Sequence, residues 1–84
     1  MGKWSATDTA AEKIAASPYR KTLFIQNYDE TDYVNLGIGN DAEDDEGVRL
    51  YPGDSVTLTG NTATAAISII CATGKTASGG WEGN

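Results

Sequence analysis

The sequence predicts an all-β fold, a small antiparallel β-sandwich or barrel with an extended N-terminal arm. Three observations predict it. Apolar residues alternate with polar ones, period two, in successive short runs between Thr22 and Thr59. Clusters of Gly, Asn, Asp and Pro separate the runs at roughly 8–12 residues, the interval of sandwich and barrel turns. No internal repeat and no coiled-coil heptad competes with this pattern.

The arm comes first, over residues 1–18; residues 19–84 form a single β domain with a Gly-rich C-terminal end. Ala10–Ala16 contains good helix formers, but Ile14 is its only large apolar residue and Ser17-Pro18 ends any helix there. Isolated helices this short are marginal in water, which favours an extended strand over Ala6–Ile14 with Ile14 inserted into the core. Trp4, far from any dense apolar cluster, reads as a docking anchor on a neighbour or as a loosely packed terminal residue.

In the body, Leu23 and Ile25 share one face of the first strand, and Thr22, Phe24 and Gln26 the other. Val34, Leu36 and Ile38 oppose Tyr33, Asn35 and Gly37. Val48 and Leu50 oppose Arg49 and Tyr51, and Val56 and Leu58 oppose Ser55, Thr57 and Thr59. This is the pattern of antiparallel strands with one solvated face. Tyr51-Pro52-Gly53-Asp54 is a type II turn signal, with proline presetting φ at the second position and glycine accepting positive φ at the third. Ala65–Ala72 is apolar on both faces and reads as a strand that is central or covered by another subunit. Thr76–Trp81 reads as a final edge strand. The expected core is Ile14, Leu23, Ile25, Val34, Leu36, Ile38, Leu50, Val56, Leu58, Ile67, Ile69 and Cys71. A chain of 84 residues buries only roughly 60–65% of its unfolded surface, so it gains from oligomerisation.

Composition excludes several functions. Twelve Asp and Glu against six Lys and Arg leave a net charge of −6, which repels phosphate backbones and anionic lipid. Nucleic acid and membrane are therefore not expected partners. The lone cysteine cannot form an internal disulfide, and no apolar run approaches the ~18 residues of a membrane span, so a soluble chain made in a reducing compartment is expected. Histidine is absent, which removes the commonest general base and zinc ligand, and Cys71 lies in the most apolar stretch as a core thiol. Gly37-Ile38-Gly39 reads as turn chemistry. Gly74-Lys75-Thr76 fails as a phosphate loop because Ile69 stands where the first glycine belongs. The acidic run Asp41–Glu46 lacks the calcium-loop register and reads as a solvated, self-repelling hairpin tip. No enzyme, cofactor or metal is expected.

What remains is contact surface. The aromatics Tyr19, Tyr28, Tyr33, Tyr51, Phe24 and Trp81 fall mostly on the polar-side register, where they stabilise a sheet or meet a partner. The candidate partner-interface residues are Trp4, Ile14, Tyr19, Arg20, Phe24, Tyr33, Arg49, Tyr51 and Trp81, with Arg20 and Arg49 able to pair with acidic groups.

Several phrases carry a resemblance. Ala15-Ala16-Ser17-Pro18-Tyr19-Arg20-Lys21 followed by Leu23-Phe24-Ile25-Gln26-Asn27, then Tyr33-Val34-Asn35-Leu36-Gly37, Gly47-Val48-Arg49-Leu50 and Pro52-Gly53-Asp54-Ser55-Val56-Thr57-Leu58, together resemble the small β-sandwich structural proteins of tailed bacteriophages. The resemblance covers about residues 10–72; the acidic tip and the Gly-rich end depart from it. It implies a structural virion protein, a capsid decoration (cement) subunit made in the host cytoplasm and seated on the capsid surface across capsid-protein junctions. The implied partners are the major capsid protein and further copies of itself, with a trimer favoured. The other reading is a tail or vertex accessory module that recognises a host-surface glycan or protein.

Overall fold

The computed structural model describes residues 2–84; Met1, the first residue of the expected arm, lies outside the described residues. Its strands are β1 (Gly2–Ala6), β2 (Ala11–Ile14), β3 (Thr22–Asn27), β4 (Val34–Ile38), β5 (Val48–Leu50), β6 (Ser55–Thr59), β7 (Ile67–Cys71) and β8 (Ala77–Gly83), with a single helical turn α1 (Asn61–Thr64) between β6 and β7. They form two four-stranded sheets, ordered β1-β8-β3-β6 and β2-β7-β4-β5. Every pairing is antiparallel. The first strand pairs with the last, the second with the seventh, the third with the sixth and the fourth with the fifth. The chain is thus one long hairpin rolled on itself, the jelly-roll form of a β-sandwich.

Alternation places the core between the sheets. Leu23, Ile25 and Leu58 face inward from one sheet, and Val34, Leu36, Leu50, Ile67, Ile69 and Cys71 from the other. All of the expected core residues are buried except Ile38 and Val56, which lie partly buried at its margin. Burial pushes the Cys71 thiol up to about 11, aided by the charges of Asp32, Asp29 and Asp8. The Tyr51–Asp54 turn forms as its sequence requires, with Gly53 at φ 82° and the Asp54 N–H donating to the Tyr51 carbonyl at 2.9 Å.

The two ends of the chain differ from expectation. Residues 2–14 are no separate arm: they supply β1 to one sheet and β2 to the other. Trp4 is buried in the core rather than offered to a neighbour. Ile14 fills the core as the extended reading required, which leaves it unavailable as a docking anchor. The Gly-rich segment is likewise not an edge: β8 lies between β1 and β3. The reason is a close approach of side chains to its backbone. Trp4 stands directly opposite Gly79, and Trp81 directly opposite Gly2. A Cβ at Gly79 would overlap the Trp4 ring, and one at Gly2 would come within 2.6 Å of the Trp81 indole nitrogen. On the outer face, a Cβ at Gly80 would come within 2.6 Å of the Tyr28 hydroxyl. Glycine inside a strand marks such an approach.

Trp4 carries one defect: its indole N–H is buried with no acceptor among the described residues. An unmet buried donor costs ~1–3 kcal/mol, whereas removing the ring leaves a cavity costing ~3–5 kcal/mol. Trp4→Phe is therefore expected to lose less than half the stability lost by Trp4→Ala in urea denaturation. Deleting residues 2–13 removes β1 and most of β2, and is expected to abolish the cooperative thermal transition followed by circular dichroism.

Candidate functional site

The candidate interface residues gather at two places. At one pole of the sandwich, the chain leaves β2 at Ile14 and turns back at Pro18-Tyr19, the Arg20 N–H donating to the Ser17 carbonyl at 3.3 Å and the Ser17 N–H to the Thr64 carbonyl at 3.0 Å. The Arg20 side chain then runs inward. Its guanidinium donates to the carbonyls of Ala63, of Ala65 at 3.0 Å and of Ala15 at 3.2 Å, and lies 5.9 Å from the Trp81 ring centroid. Carbonyls near a helix end lack in-helix partners, and here they solvate a buried cation. Arg20 is thus committed to the fold and does not reach out to a partner.

Beside it lies a groove of about 460 Å³ walled by Ala15–Ser17, Tyr19, Arg20, Trp81, Gly83 and Asn84. Tyr19 is 89% exposed, the most exposed large apolar side chain among the described residues. Trp81 is half-buried and packs at the core margin. With the Arg20 charge occupied, the groove presents mostly alkyl and aromatic surface with Ser17 and Asn84 as polar groups in its wall, suited to an apolar or planar side chain of another molecule.

The second place is the outer face of the β2-β7-β4-β5 sheet. Here the backbone of the acidic run is tied to the sheet at Ala42 and Glu46, while its carboxylate side chains stay solvated as expected. Ala42 is buried and its N–H donates to Ser68 Oγ at 3.0 Å. Asn35, also buried, donates from Nδ2 to the Glu46 carbonyl at 3.0 Å. Gly37 leaves the room: a Cβ there would come within 2.7 Å of the Ala42 backbone nitrogen. Arg49 fastens the loop. Its guanidinium lies 3.8 Å from the Tyr33 ring centroid and 5.9 Å from that of Tyr51, pairs with Asp44 at 3.4 Å and with Asp45, and donates to Asn35 Oδ1 at 3.2 Å. Tyr33 donates its hydroxyl proton to Asp44 at 3.1 Å, and desolvation, then this bond, raises its pKa. Glu43 is raised by its hydrogen bond with Glu46 and by that neighbour's charge.

Tyr33, Arg49 and Tyr51 therefore form one cluster, and Tyr19, Arg20 and Trp81 another. Phe24 joins neither, lying half-buried on the outer face of the β1-β8-β3-β6 sheet opposite Thr57 and Glu82. Sequence reasoning missed the buried polar residues. Asn27 is fully buried, donates to the carbonyls of Asp32 at 2.9 Å and Leu50 at 3.1 Å, and accepts from the Asp29 N–H at 2.9 Å. Asp29 in turn accepts from the N–H groups of Asp32 and Thr31, which hold its carboxyl below the usual range. An Asn at the inward position of a strand was the available signal. Among the described residues, no group of three or more His, Cys, Asp or Glu is placed to hold a metal ion. Compared with protein-family models, with curated proteins and with solved structures, the chain matches none.

Arg49→Ala removes the cation that neutralises Asp44 and Asp45 and bridges Tyr33 to Tyr51. It is expected to speed amide hydrogen exchange at Ala42 and across residues 41–47, while leaving exchange in β3 and β7 unchanged.

Proposed function

We propose that this protein is a non-enzymatic structural component of a tailed-phage virion, a decoration subunit that binds the capsid surface across junctions of the major capsid protein. Two things support the reading: the resemblance of residues 10–72 to such proteins, and the shape of the exposed surface. The observation that carries it is the groove beside Tyr19. A tyrosine left almost wholly in solvent next to a half-buried tryptophan, in a chain of net charge −6, is the composition of a protein-contact anchor. Many copies on a symmetric shell multiply a modest contact at each groove into firm attachment. The Arg20 bonds tie the β2–β3 connection to the segment around α1 beneath the groove, which limits the backbone ordering that binding requires.

The test is mass spectrometry of purified virions together with rebinding of the chain to undecorated particles. Copies on the order of hundreds per particle are expected; about a dozen or fewer assigns the chain to a tail or vertex. Tyr19→Ala is expected to weaken particle binding at least about tenfold, equivalent to ~1.4 kcal/mol, with an unchanged melting temperature. Absence of the chain from the particles, or full binding by Tyr19→Ala, would overturn the reading.

A further inference from the structure

The four sheet edges are not alike. β1 carries exposed Lys3; β2 spans four residues, carries Glu12 and Lys13 and is interrupted by a register shift between Glu12 and Ile14; β5 spans three residues and carries Arg49. Charge, brevity and bulges are the devices by which sheets stop another strand from adding to an edge. β6 has none of them. Ser55–Thr59 holds no charge, no proline and no bulge, in a chain of which 21% of residues are charged.

The register shows which of its backbone groups are free. Asn27 donates its N–H to the Asp54 carbonyl at 2.9 Å, and the same register continues through Ile25 opposite Val56 and Leu23 opposite Leu58. Hydrogen-bonded pairs alternate along an antiparallel ladder, so Val56 and Leu58 point their backbone groups at β3, and Ser55, Thr57 and Thr59 point theirs away from the sheet. One of these is partly engaged: the Thr59 carbonyl accepts from Thr62 Oγ1 at 2.7 Å, which leaves its second lone pair.

We propose that this edge pairs with the β6 edge of a second copy, antiparallel about a two-fold axis at Thr57. The strand is its own complement in that register. Thr57 meets Thr57 of the other copy, Ser55 meets Thr59, and half-buried Val56 meets Leu58, so hydroxyl side chains align on the outer face and apolar ones on the core side. The outward groups of both strands then form up to about six main-chain hydrogen bonds. Self-complementarity points to a second copy as the occupant, and because this stretch brings no charge to the contact, the repulsion between two chains of charge −6 is least here. The contact is isologous and closes at two copies, so it builds a dimer and not the trimer that the resemblance implies.

Sedimentation equilibrium on the whole protein tests this, with an isotope-mixed nuclear magnetic resonance sample to detect contacts between Thr57 of the two copies. A monomer–dimer equilibrium with those cross-peaks is expected. Thr57→Pro removes an N–H that β3 does not use, and Thr57→Lys places two cations face to face; each is expected to raise the dimer dissociation constant at least about tenfold while the circular dichroism spectrum stays the same. Circular dichroism identifies a misfolded variant, and the lysine variant then decides. A chain that stays monomeric, forms a trimer, or dimerises unaffected by both substitutions would overturn the proposal. So would edge amides of β6 that become protected only on a virion particle, since that would give the edge to a capsid partner.

Discussion

The seating of Trp4 on Gly79 of β8 is the contact on which the rest of this fold depends. β8 joins the first strand of the chain to the third, and through β3 to β6. It can hold that central position only because Gly79 lets an indole lie against its backbone on the inner side and Gly80 lets Tyr28 do so on the outer. Any side chain at Gly79 would displace Trp4, and with it the strand that closes the sheet. Glycine weakens a strand by its own entropy, and here the aromatic rings laid across it supply the packing surface that its missing side chains do not.

Four buried polar side chains then set the loops. Asn27 ties together the segment after β3, the end of β5 and the Tyr51–Asp54 turn. Asn35 and Ser68 hold the acidic loop down on its sheet. Arg20 gathers the carbonyls around α1 and so shapes the groove beside Tyr19 and Trp81. Each acts from side chain to backbone, which orders irregular chain without requiring a particular residue in the loop itself. The acidic loop shows the effect most clearly: its mutual repulsion is met by Arg49, held between two tyrosines, and its backbone is closed by the Glu46 N–H donating to the Glu43 carbonyl at 3.2 Å.

The contact surface divides along the same lines. Residues with buried duties, Trp4, Ile14 and Arg20, are spent on the fold. Tyr19 has no such duty, and Tyr51 keeps about half its surface in solvent while stacking near Arg49. Aromatic character alone did not separate these classes. Trp4 and Tyr19 look equally suited to an interface in sequence, and their roles are opposite because one faces a glycine across a ladder and the other sits on a turn.

By itself the sequence determined the class of fold and its body. Period-two alternation through Leu23–Ile25, Val34–Ile38, Leu50 and Val56–Leu58 assigns inward and outward faces because side chains of a strand alternate by geometry, whatever the strand pairs with. Pro52-Gly53 specifies its turn for an equally local reason, the φ angles those residues allow. Only the tertiary structure decided where β1 and β8 go, that the acidic run lies flat, and that Tyr19 and Trp81 wall one groove. Those outcomes rest on contacts between residues far apart in the chain: Trp4 with Gly79, Arg20 with Ala63, Ala42 with Ser68. Local propensity carries no signal for such contacts, since each exists only once the hairpin has rolled up and brought the two ends of the chain into one sheet.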